Sequence, residues 1–144
     1  MKNRIASFGP LLALCAAYCV ASLVHFVHNA EFLGQYPNMP VWLSRAKVYA
    51  AWLVITAVGV VGLAVTRSRF VLAGLLLLAV YAALGFDGLG HYALAPMSAH
   101  SLMMNFTIWF EVAAAAVLLV FVLRLVFVSG REFGVARGGS WRIR

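Results

Sequence analysis

Half of the chain's four acids and four histidines lie in one stretch, Phe86 to Leu125, which is apolar enough to enter a bilayer. They are Asp87, His91, His100 and Glu111. His100, Met104, Thr107 and Glu111 are spaced 4, 3 and 4 residues apart. On a helix turning about 100° per residue that spacing makes one stripe on one face. At about 1.5 Å per residue, Glu111 sits roughly 16 Å further along than His100. A carboxyl at that depth costs several kcal/mol unless it is neutral, paired or wetted, so it marks a site by default.

A second stripe lies near the N-terminus, where Tyr18, Ser22, His25 and Asn29 repeat at 4, 3 and 4. His28 flanks it, three residues from His25, so two imidazoles share neighbouring positions on a helix. Asp87 and His91 would be i, i+4 neighbours if the helix ran through Gly88 and Gly90, although those glycines can equally end it. Tyr49, Trp52 and Thr56 offer a milder polar-aromatic face.

Imidazoles and carboxylates together suit a transition metal such as copper, zinc or iron. The expected ligands are His25, His28, His91, His100 and Asp87. Tyr18, Asn29, Met104 and Thr107 would line the bound group. In an enzyme, a metal-dependent membrane oxidoreductase or hydrolase, Glu111 or Asp87 would be the acid–base group. No HExxH or CxxC spacing is present. The order Asp-x-x-x-His…His at Asp87, His91 and His100 is similar to the copper-site pattern in one subunit of the particulate methane monooxygenases. The final gap is shorter here and nothing else in the chain matches.

Two other chemistries fit the same residues. Haem could be ligated by His25 with His91 or His100. Glu111 beneath Thr107, Met104 and His100 could instead form a proton path, or a pocket for a cationic lipophile with Trp52 and Trp109 near it. Against all three stands a plain alternative for each residue. A histidine at a membrane interface is commonly only an interfacial polar group, a methionine only core filling, and a protonated glutamic acid only an interhelical hydrogen bond.

The elements that must position these groups follow from composition. Of the 144 residues 65% are hydrophobic and 10% charged, with mean hydropathy +0.97. A soluble domain carries about 25% charged residues, so the lipid bilayer is the solvent. The apolar runs predict an all-α, polytopic membrane protein, a four-transmembrane-helix bundle, over residues 1–128. The spans are expected at about 10–33, 46–65, 69–88 and 99–128. Ser7 and Pro10 suit the start of the first, and Ser98 suits the N-cap of the last. The connection from Gly34 to Ser44, with Pro37, Pro40 and Trp42, reads as a turn able to lid the site. Residues 129–144 read as a basic, disordered cytoplasmic tail.

The net charge of +7 is a matter of topology. Nine basic residues flank the spans on the side of the termini and only Arg45 and Lys47 lie on the other, so both termini are expected in the cytoplasm of a bacterial-type inner membrane. All four histidines then lie toward the outer side, where the site would face. Lys2 and Arg4 before an apolar run with Ala17 and Ala21 also have the shape of a signal peptide, but the run continues to Val27. Cys15 and Cys19, at i, i+4, are poorly placed for a disulfide and read as packing groups. No P-loop, dinucleotide fingerprint, nucleophile elbow or nucleic-acid module is present. A homo-oligomer or a place in a larger membrane complex would suit small-residue faces such as Ala113 to Ala116.

Overall fold

The structure is a computed structural model that describes the backbone of residues 2–138 and the side chains of residues 8–130. Its long helices are α1 (Lys2–Glu31), α2 (Arg45–Thr66), α3 (Val71–Leu84) and α5 (Leu102–Gly138), with the short α4 (His91–Leu94) between the last two. Among the described residues four segments are long and apolar enough to cross a membrane: Phe8–Glu31, Arg45–Thr66, Val71–Leu94 and Leu102–Gly130. The third is α3 carried on through a 3₁₀ turn, Asp87–Gly90, into α4.

Helix α1 packs on α2 and α5, and α3 packs on α2 and α5, so the four form a closed ring. Short connections make successive helices antiparallel. The start of α1, the α2–α3 turn and the late part of α5 share one end of the bundle. There the Arg67 guanidinium lies 4.4 Å from the Phe8 ring centre. The α1–α2 and α3–α5 connections cap the opposite end.

Glycines let α2 and α3 approach closely. A Cβ on Gly59 would stand 2.8 Å from the Tyr81 ring, and one on Gly62 would stand 2.9 Å from Leu78 Cδ2. Small residues at such crossings let the backbones touch, which gives packing in lipid where no hydrophobic drive exists. At the terminal end the interior is apolar and dense, built from Leu11, Cys15, Leu75, Leu78, Leu118 and Val122. Both cysteines are free.

Three local details differ from the sequence expectations. Helix α1 already runs before Pro10, which lies inside it. A proline has no N–H and crowds the carbonyl four residues back, so this position loses one hydrogen bond without ending the helix. Ser98 sits in a 3₁₀ turn, and Ser101 caps α5 instead, its hydroxyl accepting from the Met104 N–H at 3.2 Å. The chain beyond residue 128 stays helical to Gly138, because no proline interrupts it and adding a residue to a formed helix is cheap. The rest of the expected tail lies outside the described residues.

Candidate functional site

Both stripes face the bundle axis. Tyr18, Ser22, His25 and Asn29 of α1 are buried, as are Met104, Thr107 and Glu111 of α5. Spacings of 4, 3 and 4 on α1 and of 3 and 4 on α5 keep each set within one narrow sector of its helix, whereas His100, expected to open the second stripe, lies in extended backbone before α5 begins at Leu102 and is not on that helix. Because α1 and α5 are neighbours, the two polar stripes meet.

At the meeting point His25, 3% exposed, faces Glu111, 1% exposed. His25 Nε2 stands 3.8 Å from Glu111 Oε2. On the ring's other side, His25 Nδ1 lies 3.4 Å from Thr107 Oγ1. Thr107 donates its own hydrogen to the Met104 carbonyl at 3.0 Å. The Thr107 oxygen is therefore an acceptor toward His25, and the proton belongs on Nδ1. That tautomer turns the Nε2 lone pair toward the carboxyl.

Moving toward the connection end, the imidazoles succeed one another. The His25 and His91 ring centres are 5.5 Å apart, and those of His91 and His100 are 6.1 Å apart. The Asn29 amide meets His91 Nε2 at 2.9 Å. Whichever amide atom faces that nitrogen sets the tautomer. An N–H facing it leaves a proton on Nδ1, whereas the oxygen facing it leaves an Nδ1 lone pair. His100 Nδ1 donates to the Pro96 carbonyl at 3.1 Å, which leaves its Nε2 lone pair free. Asn105 fixes this turn, donating to the carbonyls of Met97 and His100 and accepting from Tyr92 Oη at 2.8 Å.

Among the described residues, the buried polar atoms with no hydrogen-bond partner fall mostly along this column. They include Tyr18 Oη, Ser22 Oγ, Asn29 Oδ1, His91 Nδ1, His100 Nε2 and Glu111 Oε2. Each such atom costs roughly 1–3 kcal/mol when it has lost water and gained nothing. A row of them is the mark of a place that holds something polar.

The column is closed at the connection end by Tyr36, a residue the sequence reading did not single out. Its ring is buried against His91, with centres 4.8 Å apart. Its hydroxyl donates to His28 Nδ1 at 2.8 Å. Burial pushes the Tyr36 phenol up to about 12, so it remains an O–H donor at neutral pH. The connection is pinned over the site by Asn38, which adopts φ 56° and donates to the Leu94 carbonyl at 2.8 Å. The expected lid is thus present in the stretch between Gly34 and Ser44. The signal in sequence was only an aromatic residue preceding a Pro-Asn turn.

Two expected ligands stand apart. Asp87 is exposed while His91 is buried. The 3₁₀ turn explains this, since at about three residues per turn positions i and i+4 lie on different faces. Asp87 also has no ion pair with Arg45 or Lys47. Arg45 Nη2 pairs with Glu31 Oε2 at 3.1 Å, and Lys47 Nζ donates to the Trp42 carbonyl at 2.9 Å. His28 is half-buried and engaged by Tyr36, beside the column rather than in it. Trp109 is exposed. Among the described residues no three His, Cys, Asp or Glu side chains converge on one point as a preformed metal site.

The chemistry available is therefore that of a buried column of unpartnered donors and acceptors, polar from Tyr18 to His100 and stopped by an apolar plug below. Comparison with family models, with curated proteins and with solved structures finds no match to this chain. The fold and site define a class only: an all-α bundle of four helices, each long enough to cross a membrane, with a polar column in one half.

Proposed function

We propose that the protein is a multi-pass membrane protein whose polar column is a dead-ended cation site, and that the cation is a transition-metal ion. The observation that carries this reading is the facing of two electron-rich atoms. The His25 Nε2 lone pair and Glu111 Oε2 stand 3.8 Å apart, both side chains buried in the bundle. Two acceptors held together repel unless a positive charge or a proton lies between them. Zinc-type bonds of about 2.0–2.2 Å to nitrogen and oxygen fit that gap. Thr107 would be the outer partner that fixes the His25 tautomer. His100, with its free Nε2, would supply a further electron pair nearer the connection end.

The plug of Leu75, Leu78, Leu118 and Val122 argues against a conduit, because these apolar side chains carry neither a proton nor an ion onward. Haem is disfavoured because His25 and His91 meet edge to face, and a macrocycle held by both would have to part them. The distribution of basic residues puts the termini in the cytoplasm and the column toward the outer side of a bacterial-type inner membrane.

Elemental analysis of the detergent-purified protein, with an optical spectrum of the same sample, tests the reading. One equivalent of a transition metal is expected in the wild type and none in His25→Ala or Glu111→Gln. A folded, colourless, metal-free wild type would sink it. In that case the second reading takes over, in which His25 and Glu111 share a proton. That reading is favoured by the absence of a third converging ligand among the described residues.

A further inference from the structure

Leu72, Leu76, Val80 and Leu84 of α3 are all exposed. They recur every four residues, which makes one apolar ridge along the outer face of the bundle. The 3₁₀ turn Asp87–Gly90 carries that ridge on, because a step of three residues there brings Asp87 over Leu84. Asp87 is exposed, and the next exposed positions, Gly90, Ala93 and Leu94, are apolar again. Its carboxyl makes no ion pair among the described residues.

The packing of α3 on α2 fixes the depth of this acid. A Cβ on Gly59 would meet Tyr81, one on Gly62 would meet Leu78, and one on Gly74 would meet Thr66. Each step forward on α3 is thus a step back on α2. Carried on, that register sets Asp87 level with Trp52 and Leu53, roughly 10 Å inside Arg45 on the helix rise. Arg45 pairs with Glu31 at the exposed rim of the bundle. In a hydrocarbon core about 30 Å thick, Asp87 is then well below the headgroups. A side chain with a single methylene is too short to snorkel back to them. Acids at such depth cost a few kcal/mol and almost always face a bundle interior or a wet cavity. Asp87 faces outward.

We infer that Asp87 is the contact point for a transmembrane helix of another protein, one that carries a lysine or arginine at the same depth. In that complex the carboxylate gains its counter-charge, and the flanking ridge gives the apolar packing that holds helices together in lipid. A second copy of this chain does not supply the cation. Among the described residues its lysines and arginines lie toward the bundle ends, Arg45 and Lys47 at one and Arg67, Arg69 and Arg124 at the other. Its His25, His91 and His100 are buried. The ammonium of a zwitterionic lipid sits at headgroup level, above the carboxyl. The inference rests on the membrane reading above and not on the bound metal ion.

The test uses the full-length protein, labelled at its N-terminus, in phosphatidylcholine vesicles. The probes are two labelled leucine–alanine transmembrane peptides, one with a single lysine roughly 10 Å from one end and one without it. Energy transfer should show wild type binding the lysine peptide about tenfold more tightly, the increment of an interhelical polar contact in lipid. Asp87→Asn should bind both peptides alike with an unchanged melting temperature, and Asp87→Glu should keep the preference. No preference in wild type, or one that survives Asp87→Asn, overturns the inference. Energy transfer between two copies of the wild type that vanishes in Asp87→Asn also overturns it and makes a second copy the partner. Tetraphenylphosphonium bound through Asp87 by a protein that ignores the lysine peptide would overturn it in favour of a lipophilic cation.

Discussion

The Tyr36 hydroxyl donates to His28 Nδ1 at 2.8 Å, across the end of the polar column, and the Tyr36 ring lies on His91. One side chain thus joins a connection to a helix and covers the imidazole below. Replacing the hydroxyl and replacing the ring should have different effects. Tyr36→Phe loses one hydrogen bond, about 1 kcal/mol, and keeps the cover. Tyr36→Ala removes the cover. Histidine modification by diethyl pyrocarbonate should be several-fold faster in Tyr36→Ala than in wild type, and nearly unchanged in Tyr36→Phe. Equal rates in all three proteins would rule out the lid.

The same phenol makes stability depend on alkaline pH. Its value is raised by burial from about 10 to about 12, so the folded state favours the neutral form. The unfolded chain releases this proton first. The stabilisation is therefore complete below about pH 10 and is lost as pH rises toward 12. Thermal melts of wild type should fall across that window more steeply than those of Tyr36→Phe.

Asp87 and Glu111 should separate cleanly. Asp87 is exposed and Glu111 is 1% exposed, though both were candidate acid–base groups. Asp87→Asn should change stability by less than about 0.5 kcal/mol and leave bound metal unchanged. Glu111→Gln, nearly isosteric, should keep the fold and lose the metal. Metal lost in Asp87→Asn, as measured by elemental analysis, would restore Asp87 to the site.

Asn105 holds the turn that carries His100 through three hydrogen bonds. Asn105→Ala should destabilise by roughly 1–3 kcal/mol in thermal melts, as side-chain hydrogen bonds to the turn carbonyls are lost. If His100 is a ligand, metal affinity should fall with it although Asn105 touches no metal.

The α2–α3 contact offers a test of packing alone. Gly59→Leu would drive a side chain into Tyr81, whose ring already stands 2.8 Å from a Cβ built at that position. A loss of about 1–3 kcal/mol is expected from overpacking. Chemical denaturation in mixed micelles would measure it. Full stability in that variant would mean that α2 and α3 do not pack as described.

Local rules acting along one strand of chain determined much of this protein. Four long apolar runs cannot be solvated by water, so four membrane-length helices follow from composition. The helical spacings, 4-3-4 for Tyr18, Ser22, His25 and Asn29 and 3-4 for Met104, Thr107 and Glu111, place each set on one face, whatever the helices meet. Tertiary structure decided the rest, because it sets which faces oppose. That α1 lies beside α5, bringing His25 to Glu111, depends on the order of helices round the ring, which periodicity does not encode. Asp87 left the site because a few residues after Gly85 wound at three per turn instead of 3.6, a choice glycine leaves open. Tyr36 entered it because a loop folded back over the bundle end, and a loop's path answers to contacts distant in sequence.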